Sequence, residues 1–357
     1  MTTLKEISLL FLKLGSISFG GPAAHIAMME DEVVRKRGWM SHQHFLDLVG
    51  ATNLIPGPNS TEMTMHCGYE QRGWKGLFVA GASFIAPAVL ITGIIAWLYQ
   101  LYGTLPDAEK YIYGIKPAVI AIIANAAIPL GKKAFKNITL IFLGLAVLIA
   151  TLFGINEIYA LFAAGAAGVL LYFGKSAKEK TLSIVPGLQI FLLFFKTGAL
   201  LYGSGYVLFA FLDAELVATG LLSREVLIDS VAAGQFTPGP VLSTATFIGW
   251  QMGGITGSLL ATLGIFLPSF LFVALLNPLL PRLKKSKIFS AFLEAVNAAS
   301  VAVIITVCIK MGMDALTDWK STIIAVLSMA SLLYFKKLNS AFIVLGGALA
   351  GYLLYFI

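Results

Sequence analysis

Charge is what this sequence lacks. Of its 357 residues only 12% are Asp, Glu, Lys or Arg, while 58% are hydrophobic, and the mean hydropathy is +0.86. A soluble domain carries roughly a quarter charged residues, so there is too little polar side chain here to coat a water-facing surface. Most of the surface therefore faces lipid, and the bilayer is a partner. Cysteine is nearly absent: Cys67 and Cys308 stand far apart and suggest neither a disulfide framework nor a metal site. Histidine is scarce, and His25, His42, His44 and His66 have no convincing metal spacing, so no cofactor is implied. An alternating strand pattern is missing, which argues against a β-barrel. His-Glu-x-x-His, paired intramembrane aspartates and a Ser/His/Asp set at plausible depths are missing too, which argues against a membrane-embedded enzyme. Met1 to Glu6 is too short for the charged region of a signal peptide, and no cleavage site precedes the first apolar stretch.

What is present is apolar length. Ten stretches approach the ~20 residues that a helix needs to cross a bilayer, among them about Glu6 to Met28 and about Gln189 to Leu212. The net charge of +7 is compatible with nucleic acid, but in a membrane protein it reads as Lys and Arg in cytoplasmic loops, with no nucleic-acid partner.

An internal repeat organises the chain. Lys13, Gly15, Phe19 and Gly20 match Lys196, Gly198, Tyr202 and Gly203, and Glu32 matches Glu215, all at an offset of 183. Pro56, Gly57 and Pro58 match Pro238, Gly239 and Pro240 at 182, and Gly68, Gly73, Gly76 and Pro87 match Gly249, Gly254, Gly257 and Pro268 at 181. The halves divide as residues 1–180 and 181–357.

Each half holds one odd segment, His42 to Tyr69 and Arg224 to Gln251, with Pro-Gly-Pro at its middle. Proline removes a backbone donor and clashes with the preceding turn, so the helix breaks there. The broken segment either crosses as two half-helices or returns as a re-entrant hairpin. Only the hairpin keeps Arg35, Lys36, Arg37, Arg72, Lys132 and Arg282 on one, cytoplasmic, side. Five crossings per half then invert the second half. The expected fold is an all-α integral membrane protein, an inverted-topology repeat of two homologous halves, each about five transmembrane helices plus one re-entrant or broken helical hairpin. Both termini are expected outside, in the cell (inner or plasma) membrane. A homodimer is compatible with this and is not decided by it.

A half-helix that begins after a break offers free N–H groups and a positive dipole end, which suit an anion. The first break presents Gly57, Asn59, Ser60 and Thr61; the second presents Gly239, Ser243, Thr244 and, further on, Thr246. Freed backbone at membrane depth normally lines a cavity, which favours an anion site over a plain kink with capping hydroxyls. Gly20 and Gly21, with Gly203 and Ser204, form a second repeated pair; small residues there either unwind a helix beside substrate or let helices pack closely. Lys13 and Lys196 lie at equivalent depths in apolar helices, where a charge costs about 2.5–3.5 kcal/mol. They either attract the anion or snorkel to the interface. Glu62 has no acidic counterpart in the second half and either binds a coupling proton or caps its helix. His25, which follows Gly-Gly-Pro, is placed to face a cavity. Asp47 and Asp229 read as first-turn carboxylates of their hairpins.

These residues resemble a known family. Phe19-Gly-Gly-Pro-Ala-Ala-His25, Pro56-Gly-Pro-Asn-Ser-Thr61 and Gly73-Trp-Lys-Gly76 leading to Pro87 are similar to motifs of the chromate ion transporter family, and the C-terminal echo resembles the second domain of its two-domain, long-chain members. The resemblance implies export of chromate, a tetrahedral dianion shaped like sulfate, driven by the proton-motive force, with proton exchange as the antiport form. The second half departs from the first motif, with Gly205 and Leu208 at the positions of Pro22 and His25. A carrier for sulfate uptake and an anion channel are the alternatives.

Overall fold

The computed structural model describes residues 2–18, 22–52, 55–103, 106–170, 186–202, 207–276, 287–335 and 340–355. Among the described residues every regular element is helical. The first half runs α1 (Leu4–Ile17), α2 (Pro22–Glu30) continued by a π-helical turn (Asp31–Lys36), α3 (His42–Thr52), α4 (Asn59–Tyr102), α5 (Pro106–Ala134), α6 (Ile138–Leu152) and α7 (Glu157–Leu170). The second repeats it as α8 (Pro186–Leu200), α9 (Val207–Leu212) with a π-helical turn (Asp213–Val217), α10 (Arg224–Phe236), a 3₁₀ turn (Val241–Ser243), α11 (Thr244–Leu276), α12 (Lys287–Ala315), α13 (Trp319–Tyr334) and α14 (Ser340–Tyr355). Local chemistry sets the starts. Thr3 and Glu6 form a capping box on α1, Asn137 caps α6, Ser223 caps α10 and Asp318 caps α13.

Two helices are bent double at the same repeat position. Arg72 and Gly73 leave helical geometry in α4, at (φ −145, ψ 23) and (φ 56, ψ −142); Gly253 and Gly254 do so in α11, at (φ −158, ψ 28) and (φ 57, ψ −146). The positive φ is why glycine stands at 73 and 254. Beyond the bend the chain folds back so closely that a Cβ on Gly68 would overlap the Gly76 carbonyl, and one on Gly249 the Gly257 carbonyl. Each short arm, 59–71 and 244–252, therefore returns beside a long arm, 74–102 and 255–276.

The repeated hairpin expected around Pro-Gly-Pro is present. α3 and the short arm of α4 are antiparallel, and His44 meets Glu70 at 3.2 Å. The first expected span differs. Glu6 to Met28 is not one helix: α1 ends at Ile17, and α2 folds back along it. The Ser18 hydroxyl approaches the Met28 sulfur at 3.5 Å, and Lys13 pairs with Glu32 at 3.0 Å. A continuous helix would hold Ser18 and Met28 about 15 Å apart, at 1.5 Å per residue. In the second half, Lys196 and Glu215 pair at 3.0 Å and repeat the arrangement. Each half thus has two hairpins whose tips sit deep in the protein.

This turn corrects the expected placement of the termini. Thr2 donates to Gln71 at 2.8 Å, and Gln71 donates to the Trp39 carbonyl at 3.2 Å. The N-terminus therefore lies on the face of Arg37 and Arg72, because α1 returns instead of crossing. At the far end of α4, Trp250 donates to Gln100 at 2.7 Å and Tyr99 to Asp229 at 2.7 Å. The second half's hairpins open on this opposite face, so the halves are inverted. The end of α14 lies here too, with Gly351 packed on Gly114 near the start of α5. The two termini are on opposite faces.

The halves are also interlocked. α5 packs on α13 and α14, while its counterpart α12 packs on α6 and α7. Glycines allow the close approach: Gly114 meets Gly347 and Gly351, and Gly165 receives Phe292 and Val296. Among the described residues four helices are long and apolar enough to cross a membrane, 59–102, 110–132, 241–275 and 294–315. Their outward side chains, such as Leu90, Ile94, Leu259 and Leu275, are exposed and apolar, which suits lipid.

Candidate functional site

Hairpin tips converge at the centre, and each Pro-Gly-Pro break is closed by the other half. The Gly57 amide donates to the Leu201 carbonyl at 2.7 Å, and the Gly239 amide donates to the Ser18 carbonyl at 2.8 Å. Leu201 and Ser18 are the counterpart residues at the ends of α8 and α1. The left-handed region is needed at both breaks, φ +137 at Gly57 and +94 at Gly239.

At the first break α4 begins after Pro58, which caps no amide with a side chain; only the Thr61 and Glu62 amides turn back, to the Pro58 carbonyl at 2.8 and 3.1 Å. Ser60, Thr61 and Glu62 are buried here. His25 is buried beside them. Its Nε2 lies 3.1 Å from the Ser18 carbonyl and its Nδ1 3.2 Å from the Ser60 hydroxyl. A carbonyl only accepts, so Nε2 carries the hydrogen, and in the neutral ring Nδ1 accepts from Ser60. Ser18 thereby accepts from both His25 and Gly239, and one chain of bonds joins the two breaks.

The second break holds hydroxyls and no titratable counterpart. Thr92, from the long arm of α4, donates to Thr237 at 3.3 Å and to Ser243 at 3.1 Å. Thr244 donates to the Val241 carbonyl at 2.8 Å, and Thr246 and Thr262 share a bond at 2.9 Å. The 3₁₀ turn delays the helix start to Thr244, so Ser243 lies in the turn and not in the helix as expected.

The structure thus brings together Gly57, Ser60, Thr61, Glu62 and His25 on one side, and Gly239, Ser243 and Thr244 on the other; Asn59 is the first residue of α4. Lys13 and Lys196 point outward instead, 56% and 49% exposed, each paired with a carboxylate. Gly20, Gly21, Gly203 and Ser204 lie outside the described residues. Asp47 takes a weak bond from Gln43 at 3.4 Å, while Asp229 is held by Tyr99. Sequence reasoning misses Ser18, Leu201, Thr92, Thr237 and Ser269. The first two act through backbone carbonyls, which leave no side-chain signature. A cavity of about 290 Å³ lies elsewhere, lined by Ile95, Tyr99, Asp229, Phe236 and Phe247 among others; its apolar wall and one carboxylate do not suit an anion.

Inverted homologous halves with paired helix breaks at the centre define a membrane transport protein of the inverted-repeat class. The chromate transporter family model matches residues 5–169 and again residues 188–352, and the chain belongs to that family. It is 31% identical to the chromate transport protein of Cupriavidus metallidurans, over 99% of this chain and 94% of that one. A probable chromate transport protein of Synechococcus elongatus is 29% identical over 98% of this chain and 95% of its own, and a chromate transport protein of Pseudomonas aeruginosa 28% over 97% and 91%. No solved structure matches the chain. The protein is a multi-pass membrane transporter and not an enzyme.

Proposed function

We propose that this protein exports chromate, or a related tetrahedral oxyanion, and binds it between the two Pro-Gly-Pro breaks. The observation that carries this reading is the convergence of two helix starts without side-chain caps, after Pro58 and Pro240, each followed by buried hydroxyls. Backbone amides and hydroxyls suit a tetrahedral dianion with no lysine at the site. Asn59, Ser60 and Thr61 serve from the first half and Ser243 and Thr244 from the second; Gly20, Gly21, Gly203 and Ser204 are carried by the repeat as further candidates. Lys13 and Lys196 act at the periphery, where they brace the hairpins.

Orientation follows from charge. The face with the N-terminus also carries Arg35, Lys36, Arg37, Arg72, Lys75, Lys132 and Lys136, more cations than the Lys116, Arg224 and Lys310 that pair with carboxylates on the other face. The first face is cytoplasmic by the positive-inside rule, in the cell membrane. Moving one charge through 100 mV is worth about 2.3 kcal/mol, so a dianion leaving a negative-inside cell gains about 4.6 kcal/mol. The electrical part of the proton-motive force therefore favours export.

Equilibrium binding to purified protein tests the site. Replacing Asn59 and Ser60 together by Ala weakens chromate binding by about tenfold or more, since each lost charge-assisted bond is worth about 1.5 kcal/mol or more. Wild-type affinity in a folded double variant removes the first break from the site.

A further inference from the structure

We propose that Glu62 and Ser269 form a site for one monovalent cation, a proton or a sodium ion, and that filling it lets an oxyanion bind at the start of α4. The second part rests on the oxyanion reading above; the first does not.

Glu62 is fully buried, and among the described residues neither carboxylate oxygen has a hydrogen-bond partner. Among the same residues the Ser269 hydroxyl, also fully buried, has none either, nor does that of Thr61. Among the described residues no charged side chain acts on Glu62. A buried carboxylate in this condition takes up a proton or a cation. Glu62 Oε1 and Ser269 Oγ converge on one point: a Cβ added to Gly57 would overlap both. Glu62 comes from the first half and Ser269 from the long arm of α11, so the site spans the two halves beside the Gly57–Leu201 bond.

The surroundings leave Glu62 as the titrating group. From the end of α8, Tyr202 lies within its electrostatic reach. From α2, His25 bonds to Ser60; on the same arm, His66 stands one turn further on; from α11 the facing group is the Ser269 hydroxyl. Lys13 of α1 is paired with Glu32 near the surface.

The second half shows that the fold does not require this charge. The counterparts of Glu62 and Ser269 are Thr244 and Ala88, and Thr244 satisfies itself on the Val241 carbonyl. The carboxylate is a one-sided addition placed in the first turn of the helix whose N-terminus would hold the anion. Ionised, it competes for that positive end and repels a dianion; neutralised by a cation, it does neither. By linkage, the anion must then tighten cation binding by the same factor.

The test uses the full chain in lipid nanodiscs and sulfate as probe, because sulfate stays a dianion from mildly acidic to mildly alkaline pH. Its affinity is measured by calorimetry against pH at fixed sodium, and against sodium at alkaline pH. Wild type is expected to tighten about tenfold along one of the two titrations, which identifies the cation. Glu62→Gln holds the tight affinity throughout, and Ser269→Ala shifts the midpoint. A wild-type affinity indifferent to both, or a Glu62→Gln titration like that of wild type, overturns the proposal. If wild type binds neither sulfate nor chromate, the oxyanion reading fails by itself. Infrared bands lost in Glu62→Gln then decide the cation site: interconversion of ionised and neutral carboxyl with pH, or a shift with sodium, supports it, and an ionised band that answers to neither overturns it.

Discussion

The Gly57 amide and the Leu201 carbonyl, 2.7 Å apart, join a helix break in one half to the end of a helix in the other, and Gly239 and Ser18 repeat the bond in reverse. Buried amides and carbonyls need partners, and here each half supplies what the other's broken helix has lost. Neither half is complete at its centre without the other.

Gly57→Ala is expected to destabilise the protein by at least about 2 kcal/mol, from φ +137 and from overlap with Glu62 and Ser269. Gly73→Ala, at φ +56 and ψ −142 with open space around it, is expected to cost only the backbone strain, about 1–3 kcal/mol, with no overlap added. Thermal unfolding in detergent separates the two; equal midpoints would contradict the close packing at the first break.

Lys196→Met is expected to leave anion affinity unchanged within about twofold and to cost at most about 1 kcal/mol, because a half-exposed ion pair is worth little. A tenfold loss of affinity would return Lys196 to the binding site.

Arg224 holds Asp213 at 2.9 Å and Asp314 at 2.8 Å, while Lys310 is 3.9 Å from Asp213. Asp213 is only 2% exposed. Arg224→Met leaves that carboxylate with one distant partner and is expected to cost about 3 kcal/mol in an unfolding titration. Adding Asp213→Asn should recover much of the loss; additive effects would show that the pair does not interact.

His25→Ala and Ser60→Ala are expected to be non-additive, with a coupling of about 1 kcal/mol in a double-mutant cycle on stability. A coupling near zero would mean that the His25–Ser60 bond does not form.

Much of this was legible in the sequence because it is written in residues with unusual backbones. Pro-Gly-Pro marks the breaks, and collinear Gly and Pro mark the repeat. The path of α1 was not. Hydropathy measures transfer into lipid and carries no direction, so Glu6 to Met28 reads as one crossing whether or not it turns back at Ser18. The expected position of the N-terminus fails for the same reason. Lys13 and Lys196 look costly in an apolar stretch, yet Glu32 and Glu215 answer them only once the hairpin forms. Ser269 reaches Gly57 through tertiary packing between halves, which no local pattern records.

The most direct test is chromate flux in proteoliposomes with oriented protein under an imposed membrane potential, with sulfate as competitor. Saturable flux from the N-terminal face toward the opposite face, steepened by a potential negative on the N-terminal side and blocked by sulfate, is the predicted result. Folded, inserted protein that moves neither anion, or that moves chromate at a rate indifferent to voltage, would contradict electrically driven oxyanion export.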